Sequence, residues 1–198
     1  MRVISGYARG KKLKAPSGLH TRPITDMIKE ALFNVWGPGI VNASILDLFA
    51  GSGSVGIEAL SRGAAQAVFV DNDKNAVKVM AENLRICGFD NGYELYHNDV
   101  FKAVNTFSRN RRCFDYIYVD PPFTEDKIFD QIMMVLGQAD ILARQGALVI
   151  RTRRQRELAP SFGKLNQYRK KNYGESTLHY YRYMEEDQND DGNISDLG

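Results

Sequence analysis

Apolar positions along this chain follow two periods that alternate from residue 43 onward. The runs Ala67-Val-Phe-Val70, Phe114-Asp-Tyr-Ile-Tyr-Val119 and Ala147-Leu-Val-Ile150 are β-rich with few polar interruptions. Strands look like this when helices cover both faces of their sheet. The pattern predicts strands near residues 44–49, 67–71, 93–97, 114–120 and 146–152. Three-and-four spacing between them predicts helices near 54–62, 74–87, 99–108 and 126–138. Such alternation predicts a doubly wound, Rossmann-like α/β sheet, mostly parallel. After Pro160 the style changes. Residues 164–171 and 177–184, rich in tyrosine and joined around Gly174, predict a terminal antiparallel hairpin.

Upstream, extended stretches at 2–5 and 11–14 flank Gly6 and Gly10 and predict a small hairpin. A helix follows from about Thr25 to Trp36, with Ile24, Met27, Ile28, Ala31, Leu32, Val35 and Trp36 on one face. Thr25 or Asp26 serves as its N-cap, and Gly37-Pro38-Gly39 stops it. The expected organisation is a basic hairpin-and-helix extension over 1–40, an α/β domain over 41–184, and a disordered acidic tail over 185–198.

Charge separates these regions. The tail holds six acids and no bases, and removing it from a chain of net charge +2 leaves +8 on residues 1–184. Residues 1–29 carry Arg2, Arg9, Lys11, Lys12, Lys14, Arg22 and Lys29 against one acid, Asp26. This arm is a candidate phosphate-binding surface. The 198 residues, 43% hydrophobic and 25% charged, are ordinary for one globular domain. No apolar run approaches a membrane span and the N-terminus has no signal-peptide core, so a cytoplasmic location is expected. Cys87 and Cys113 stand in no metal-ligand spacing, so neither a metal site nor a disulfide framework is indicated.

Two motifs carry the chemistry. The first is Ile45-Leu-Asp-Leu-Phe-Ala-Gly-Ser-Gly-Ser-Val-Gly56, a strand running into G-x-G-x-x-G. Glycines there permit a tight turn and close backbone approach to a nucleoside ligand. Gly51, Ser52, Gly53 and Phe49 form the candidate loop. Asp71, twenty residues beyond Gly51, ends the next predicted strand, where a carboxylate can accept from ribose hydroxyls. These features suit a nicotinamide dehydrogenase as well as a methyltransferase. Asp47 inside the first strand and Asn98-Asp99 after the third favour the latter, since a dinucleotide site needs neither. Asp99 also suits the N-cap of the helix that follows it.

The second motif, Asp120-Pro-Pro-Phe123, ends the fourth strand, which neighbours the first strand at the switch point of such a sheet. The exocyclic amine of a base is a poor nucleophile because its lone pair is delocalised into the ring. Asp120 Oδ and the carbonyl of Pro121 can both accept its N–H groups, localising that lone pair. Pro121 and Pro122 hold the loop rigid, and Phe123 offers a flat face for the base. Chemistry with an already activated methyl donor needs positioning and a dry site more than a strong base. The combination points to methyl transfer from S-adenosylmethionine to a nucleic-acid amine. A base inside a duplex would have to be flipped out, which favours a single-stranded or looped target.

Across nearly its whole length the chain resembles the RsmD family of bacterial methyltransferases that modify guanine N2 in 16S ribosomal RNA. The matching segments are Arg2-Val-Ile-Ser-Gly6, Gly10-Lys-Lys-Leu13, Thr21-Arg-Pro-Ile-Thr-Asp26, Lys29-Glu-Ala-Leu-Phe-Asn34, Leu46-Asp-Leu-Phe-Ala-Gly-Ser-Gly53 and Asp120-Pro-Pro-Phe123. The resemblance implies a seven-stranded fold and one methyl added to a guanine amine on the assembled or assembling small subunit; a monomer is expected. It implies that Asp47, Gly51 and Gly53 line the cofactor site, Asp71 holds the ribose and Asp99 the adenine. It puts Arg22 and Thr25 near the RNA, with Lys11 and Lys12 in the basic arm. Met27 stands where typical members carry arginine, and as an apolar residue it is expected to join the core face of its helix. The rival readings are an adenine-N6 methyltransferase, a nicotinamide-dependent oxidoreductase, and a non-catalytic RNA-binding protein on the same fold.

Overall fold

A computed structural model describes residues 1–16 and 24–184; Arg22 and the acidic segment 185–198 lie outside the described residues. Helix α1 (Asp26–Trp36) leads into the alternating region. That region comprises β1 (Ser44–Leu48), α2 (Ser54–Ser61), β2 (Gln66–Asp71), α3 (Lys74–Cys87), β3 (Tyr93–His97), α4 (Val100–Arg109), β4 (Phe114–Val119), α5 (Asp126–Gln138) and β5 (Leu142–Arg153). Three strands close the described chain: β6 (Ser161–Phe162), β7 (Leu165–Tyr173) and β8 (Ser176–Tyr183).

All the strands form one sheet in the order β3-β2-β1-β4-β5-β8-β7-β6. The strands from β3 through β5 pair in parallel, and β8 and β7 add antiparallel to them. The fold class is the expected one, but among the described residues the sheet has eight strands rather than seven. The extra strand is two residues pairing Ser161 with Asn166 and Phe162 with Leu165. Two residues carry no alternation that a pattern could reveal.

Side chains alternate across the sheet as its two covered faces require. Leu46, Leu48, Val68, Val70, Ile117 and Val119 pack with residues of α4 and α5. On the other face, Ile45, Tyr118 and Val149 pack with Ile28, Leu32 and Trp36 of α1. The order in which strands are laid down across the sheet reverses between β1 and β4, so the loops after these two parallel strands meet at a topological switch point.

The N-terminal segment forms a hairpin held by one antiparallel bridge, Arg2 to Lys12, rather than by regular strands. Val3, Ala8 and Leu13 bury themselves against Ile57, Leu60, Met80 and Leu84 of α2 and α3. Such burial contributes about 1.5–3 kcal/mol for each larger side chain. At Gly6, with φ of 81°, a Cβ would lie 1.7 Å from the Ser61 carbonyl oxygen, so only glycine lets the hairpin approach α2.

Two expectations for α1 are corrected. Met27 is 59% exposed, whereas Lys29 of the basic arm is fully buried. The buried face runs through Ile28, Lys29, Leu32, Phe33 and Trp36, which turns Met27 to the opposite side. Lys29 Nζ donates to the Arg2 carbonyl at 2.7 Å and to Ser54 Oγ at 3.0 Å, and lies 3.3 Å from Glu58 Oε2. Glu58 is equally buried; it also accepts from the Ile4 and Ser5 amides and from Arg62 Nε. Burial pushes the Lys29 ammonium below its usual range, and Glu58 opposes that shift.

Candidate active site

A cleft of about 400 Å³ opens where the carboxyl ends of β1, β2, β3 and β4 converge. It is walled on one side by Phe49, Gly51, Ser52 and Asp71, and on another by Asp120, Pro121, Pro122 and Phe123. The two sequence motifs, about 70 residues apart, therefore share one cavity. Met1, Ala15, Pro16 and Ile24 of the N-terminal segment complete its rim.

The glycine loop is fixed from several directions. Asp71 Oδ2 accepts from the Gly51 amide at 2.8 Å, and its Oδ1 accepts from the Asp73 amide at 2.9 Å. Asp47, 2% exposed, accepts from the Gly56 amide at 3.0 Å. A Cβ on Gly56 would lie 2.3 Å from Phe69 Cε1, so glycine is what lets α2 sit directly on β2. Asn83 of α3, fully buried, donates to the carbonyls of Ser52 and Lys14 and accepts from the Lys14 amide. One amide side chain thus joins the glycine loop to the N-terminal segment. Phe49 holds a left-handed backbone at φ 57°, a conformation that costs a non-glycine residue of order 1–3 kcal/mol.

Some expected residues stand elsewhere. Gly53 is the N-cap of α2 and does not line the cleft. Asn98 also stays out of it, its amide donating to the Asp71 carbonyl at 3.0 Å. Asp99 lines the cavity while its Oδ1 caps α4 through the Lys102 amide. Thr25 Oγ1 is spent on the N-cap of α1, accepting from the Ile28 amide at 3.3 Å. Lys11 and Lys12 are exposed on the hairpin, outside the cleft.

Around Asp120 the structure adds two side chains that the motif does not contain. Arg151 Nε donates to Asp120 Oδ1 at 2.8 Å, and the Tyr118 hydroxyl donates to Oδ2 at 3.3 Å. The Arg151 and Asp120 side chains are 4% and 17% exposed, so the pair is shielded but the carboxylate still faces the cavity. The Arg151 guanidinium also lies 5.2 Å from the centroid of the Phe123 ring, and that of Arg153 lies 5.8 Å from it. Part of the ring surface expected for a base is therefore shared with two cations. Arg151 was legible in one respect: a charge inside a strand buried on both faces needs a partner.

Electrostatics distinguish what the cleft can hold. Asp47, Asp71, Asp99, Asp120 and Glu125 line it, and Arg151 is the one side-chain cation among the described lining residues. Burial pushes the carboxyls of Asp47, Asp71 and Asp120 above the usual range, Asp47 most strongly. For Asp47 the neighbouring Asp120 and Asp71 add to the shift, while Arg151 opposes it at Asp120. Such a cavity, rich in acceptors and electronegative, favours a ligand with hydroxyls, amines and positive charge over one with a pyrophosphate.

Comparison with known proteins finds relatives that match over most of the chain. The chain is 38% identical over 182 residues to YlbH of Bacillus subtilis, covering 92% of this chain and 98% of that one. It is 32% identical over 158 residues to Ribosomal RNA small subunit methyltransferase D of Haemophilus influenzae, covering 80% and 81%. The structure of yhhF, a methyltransferase-type protein from Escherichia coli, superposes with a TM-score of 0.78 at 30% identity, covering 92% of this chain and 97% of that one. The family described as Conserved hypothetical protein 95 matches residues 1–182. By fold, motif and extent of match, the chain belongs to that family, the family of the ribosomal RNA small subunit methyltransferase D proteins.

Proposed function

We propose that this protein transfers a methyl group from S-adenosylmethionine to the exocyclic N2 amine of a guanine in small-subunit ribosomal RNA, acting as a monomer on the assembled or assembling subunit. The observation that carries the reading is the single cleft in which an acceptor-lined nucleoside loop faces Asp120-Pro-Pro-Phe123. Its carboxylates suit a cofactor bearing an ammonium, a ribose and an amine. They would repel the pyrophosphate of a nicotinamide dinucleotide, which speaks against the oxidoreductase reading. The choice of guanine and of the small subunit follows family membership.

When bound, S-adenosylmethionine supplies a methyl already activated on a sulfonium. Asp71 would accept from its ribose hydroxyls, Asp99 would lie toward its adenine, and Asp47, Phe49, Gly51 and Ser52 would frame the remainder, with Gly53 and Asn98 shaping the backbone from outside the cleft. Asp120, oriented by Arg151, and the Pro121 carbonyl accept the two N–H groups of the target amine. Held so by Asp120 and Pro121, the nitrogen would keep its lone pair localised and free to accept a methyl. Asp120 is also the group able to take up the amine proton. Pro122 keeps the loop rigid, and Phe123 packs against the base. Lys11, Lys12 and Thr25 contribute to RNA contact outside the cleft, and Arg22 is assigned to RNA contact from the family motif alone.

The test is transfer of labelled methyl to small subunits from cells lacking this gene, followed by nucleoside analysis. N2-methylguanosine is the expected product. N6-methyladenosine, or no label, overturns the assignment. In the same assay Asp120→Ala should cut turnover by on the order of 10²–10⁴ while S-adenosylmethionine still binds. Loss of both would mean that the loop serves the cofactor rather than the base.

A further inference from the structure

The terminal hairpin leaves one surface that the cleft does not use. From Tyr168 to Asn172, β7 is exposed without interruption. The two residues of β6 pair only with Leu165 and Asn166, so the outer edge of β7 beyond them has no strand beside it among the described residues. Arg169, Lys171 and Arg182 are exposed here with no carboxylate in ion-pair range among the described residues. Each lies over a tyrosine ring instead. Arg169 is 5.7 Å from the Tyr180 centroid, Lys171 is 5.9 Å from Tyr173, and Arg182 is 5.1 Å from Tyr168, itself 40% exposed.

Register links this patch to the cleft. Leu178 pairs with Arg151 on one side and with Lys171 on the other. Lys171 therefore sits two strand spacings, ~10 Å, from the arginine that holds Asp120, on the same face of the sheet. Ser176 joins Arg153 to Tyr173 in the same way.

Resting on the proposed RNA methylation, we infer that this face of β7 and β8 is a second RNA-binding surface, which holds the substrate strand flanking the target nucleotide. Arg169, Lys171 and Arg182 meet its phosphates, and Tyr168 offers a ring on which an unpaired base stacks. Unpartnered cations interleaved with exposed aromatic rings match the chemistry of single-stranded nucleic acid. Lysines on an edge strand also guard against edge-to-edge aggregation. That role accounts for charge on the edge, but not for guanidinium groups laid on rings of the sheet face.

The experiment compares the wild-type full chain with R169Q/K171Q/R182Q, reading methyl transfer on small subunits and equilibrium binding to a protein-free rRNA fragment that carries the target. The variant should raise KM for subunits and Kd for the fragment on the order of 10-fold, leave kcat unchanged, and lower the log–log salt slope by about two, at roughly 0.7 per lost phosphate contact. R169K/R182K serves as a second variant in case the first misfolds; it should keep the salt slope and still raise KM. Unchanged KM and slope in well-folded variants overturn the inference. So does an aggregating variant whose monomer fraction keeps the wild-type KM, which would identify an edge guard. An effect on subunits alone would assign the surface to a ribosomal protein. Failure of the wild type to label RNA would instead remove the methylation reading.

Discussion

Two regions of this molecule bury an acid against a base, and they bury them differently. Beneath the glycine loop, Glu58 accepts from two backbone amides, Arg62 Nε and the fully buried Lys29. Its carboxylate has no exposure left. At the end of β4, Asp120 accepts from Arg151 Nε and, at a long 3.3 Å, from Tyr118, and the rest of the carboxylate faces the cleft. The first acid is saturated and joins three pieces of chain: the hairpin, α1 and α2. The second is held in orientation with acceptor capacity to spare. A buried charge alone does not mark a catalytic group; a buried charge with an unfilled lone pair aimed into a cavity does.

The sharpest way to break this contrast is to neutralise the saturated acid. Glu58→Gln leaves Lys29 buried without its counter-charge and should lower unfolding stability by about 3–5 kcal/mol, read by chemical denaturation. The loss should shrink at alkaline pH, where the unfolded chain also gives up its lysine protons and the penalty for the buried ammonium fades. A loss below 1 kcal/mol would remove the structural role assigned to the pair. S-adenosylmethionine affinity measured on the folded fraction should weaken little.

Next in size is Arg151→Gln. Turnover should fall about 10–100-fold, which corresponds to about 1.4–2.7 kcal/mol of barrier. The acid limb of the pH–rate profile distinguishes this from simple misfolding. Burial already pushes the Asp120 carboxyl above its usual range, and Arg151 opposes that shift. Ionised Asp120 is the acceptor, so activity is lost as pH falls through its pKa. Removing Arg151 should move the limb to higher pH. A limb that stays in place would show that Asp120 is not the titrating group. The smallest effect is expected of Tyr118→Phe, which deletes a 3.3 Å hydrogen bond and keeps the ring: about 2- to 5-fold in turnover, since a neutral bond of this kind is worth about 0.5–1 kcal/mol.

The sequence disclosed the alternating core almost residue by residue, because α2 through β5 bury faces of fixed period. It disclosed the two cleft loops because glycine and proline leave composition where the backbone must turn. What it hid depends on contacts between distant segments. Lys29 reads as one more charge in a basic arm; its burial follows from Glu58, found one turn into another helix. Arg151 reads as the polar end of an apolar run, yet β5 lies beside β4 and aims it at Asp120. Asn83 is an unremarkable polar residue of α3 until the hairpin folds over it. Met27 misled in the opposite direction: it continues an apolar series, but the helix is phased by Ile28, Leu32 and Trp36, which face it away from the sheet.

The clasp made by Asn83 also has a consequence for biosynthesis. The Lys14 amide finds its acceptor 69 residues downstream, and Val3 and Leu13 pack on Met80 and Leu84. Translation proceeds at roughly 5–20 residues per second. Val3 and Leu13 therefore wait several seconds after their synthesis, apolar side chains uncovered, for the helix that shelters them. This part of the cleft's rim leaves the ribosome before α3 and cannot settle until α3 has followed it.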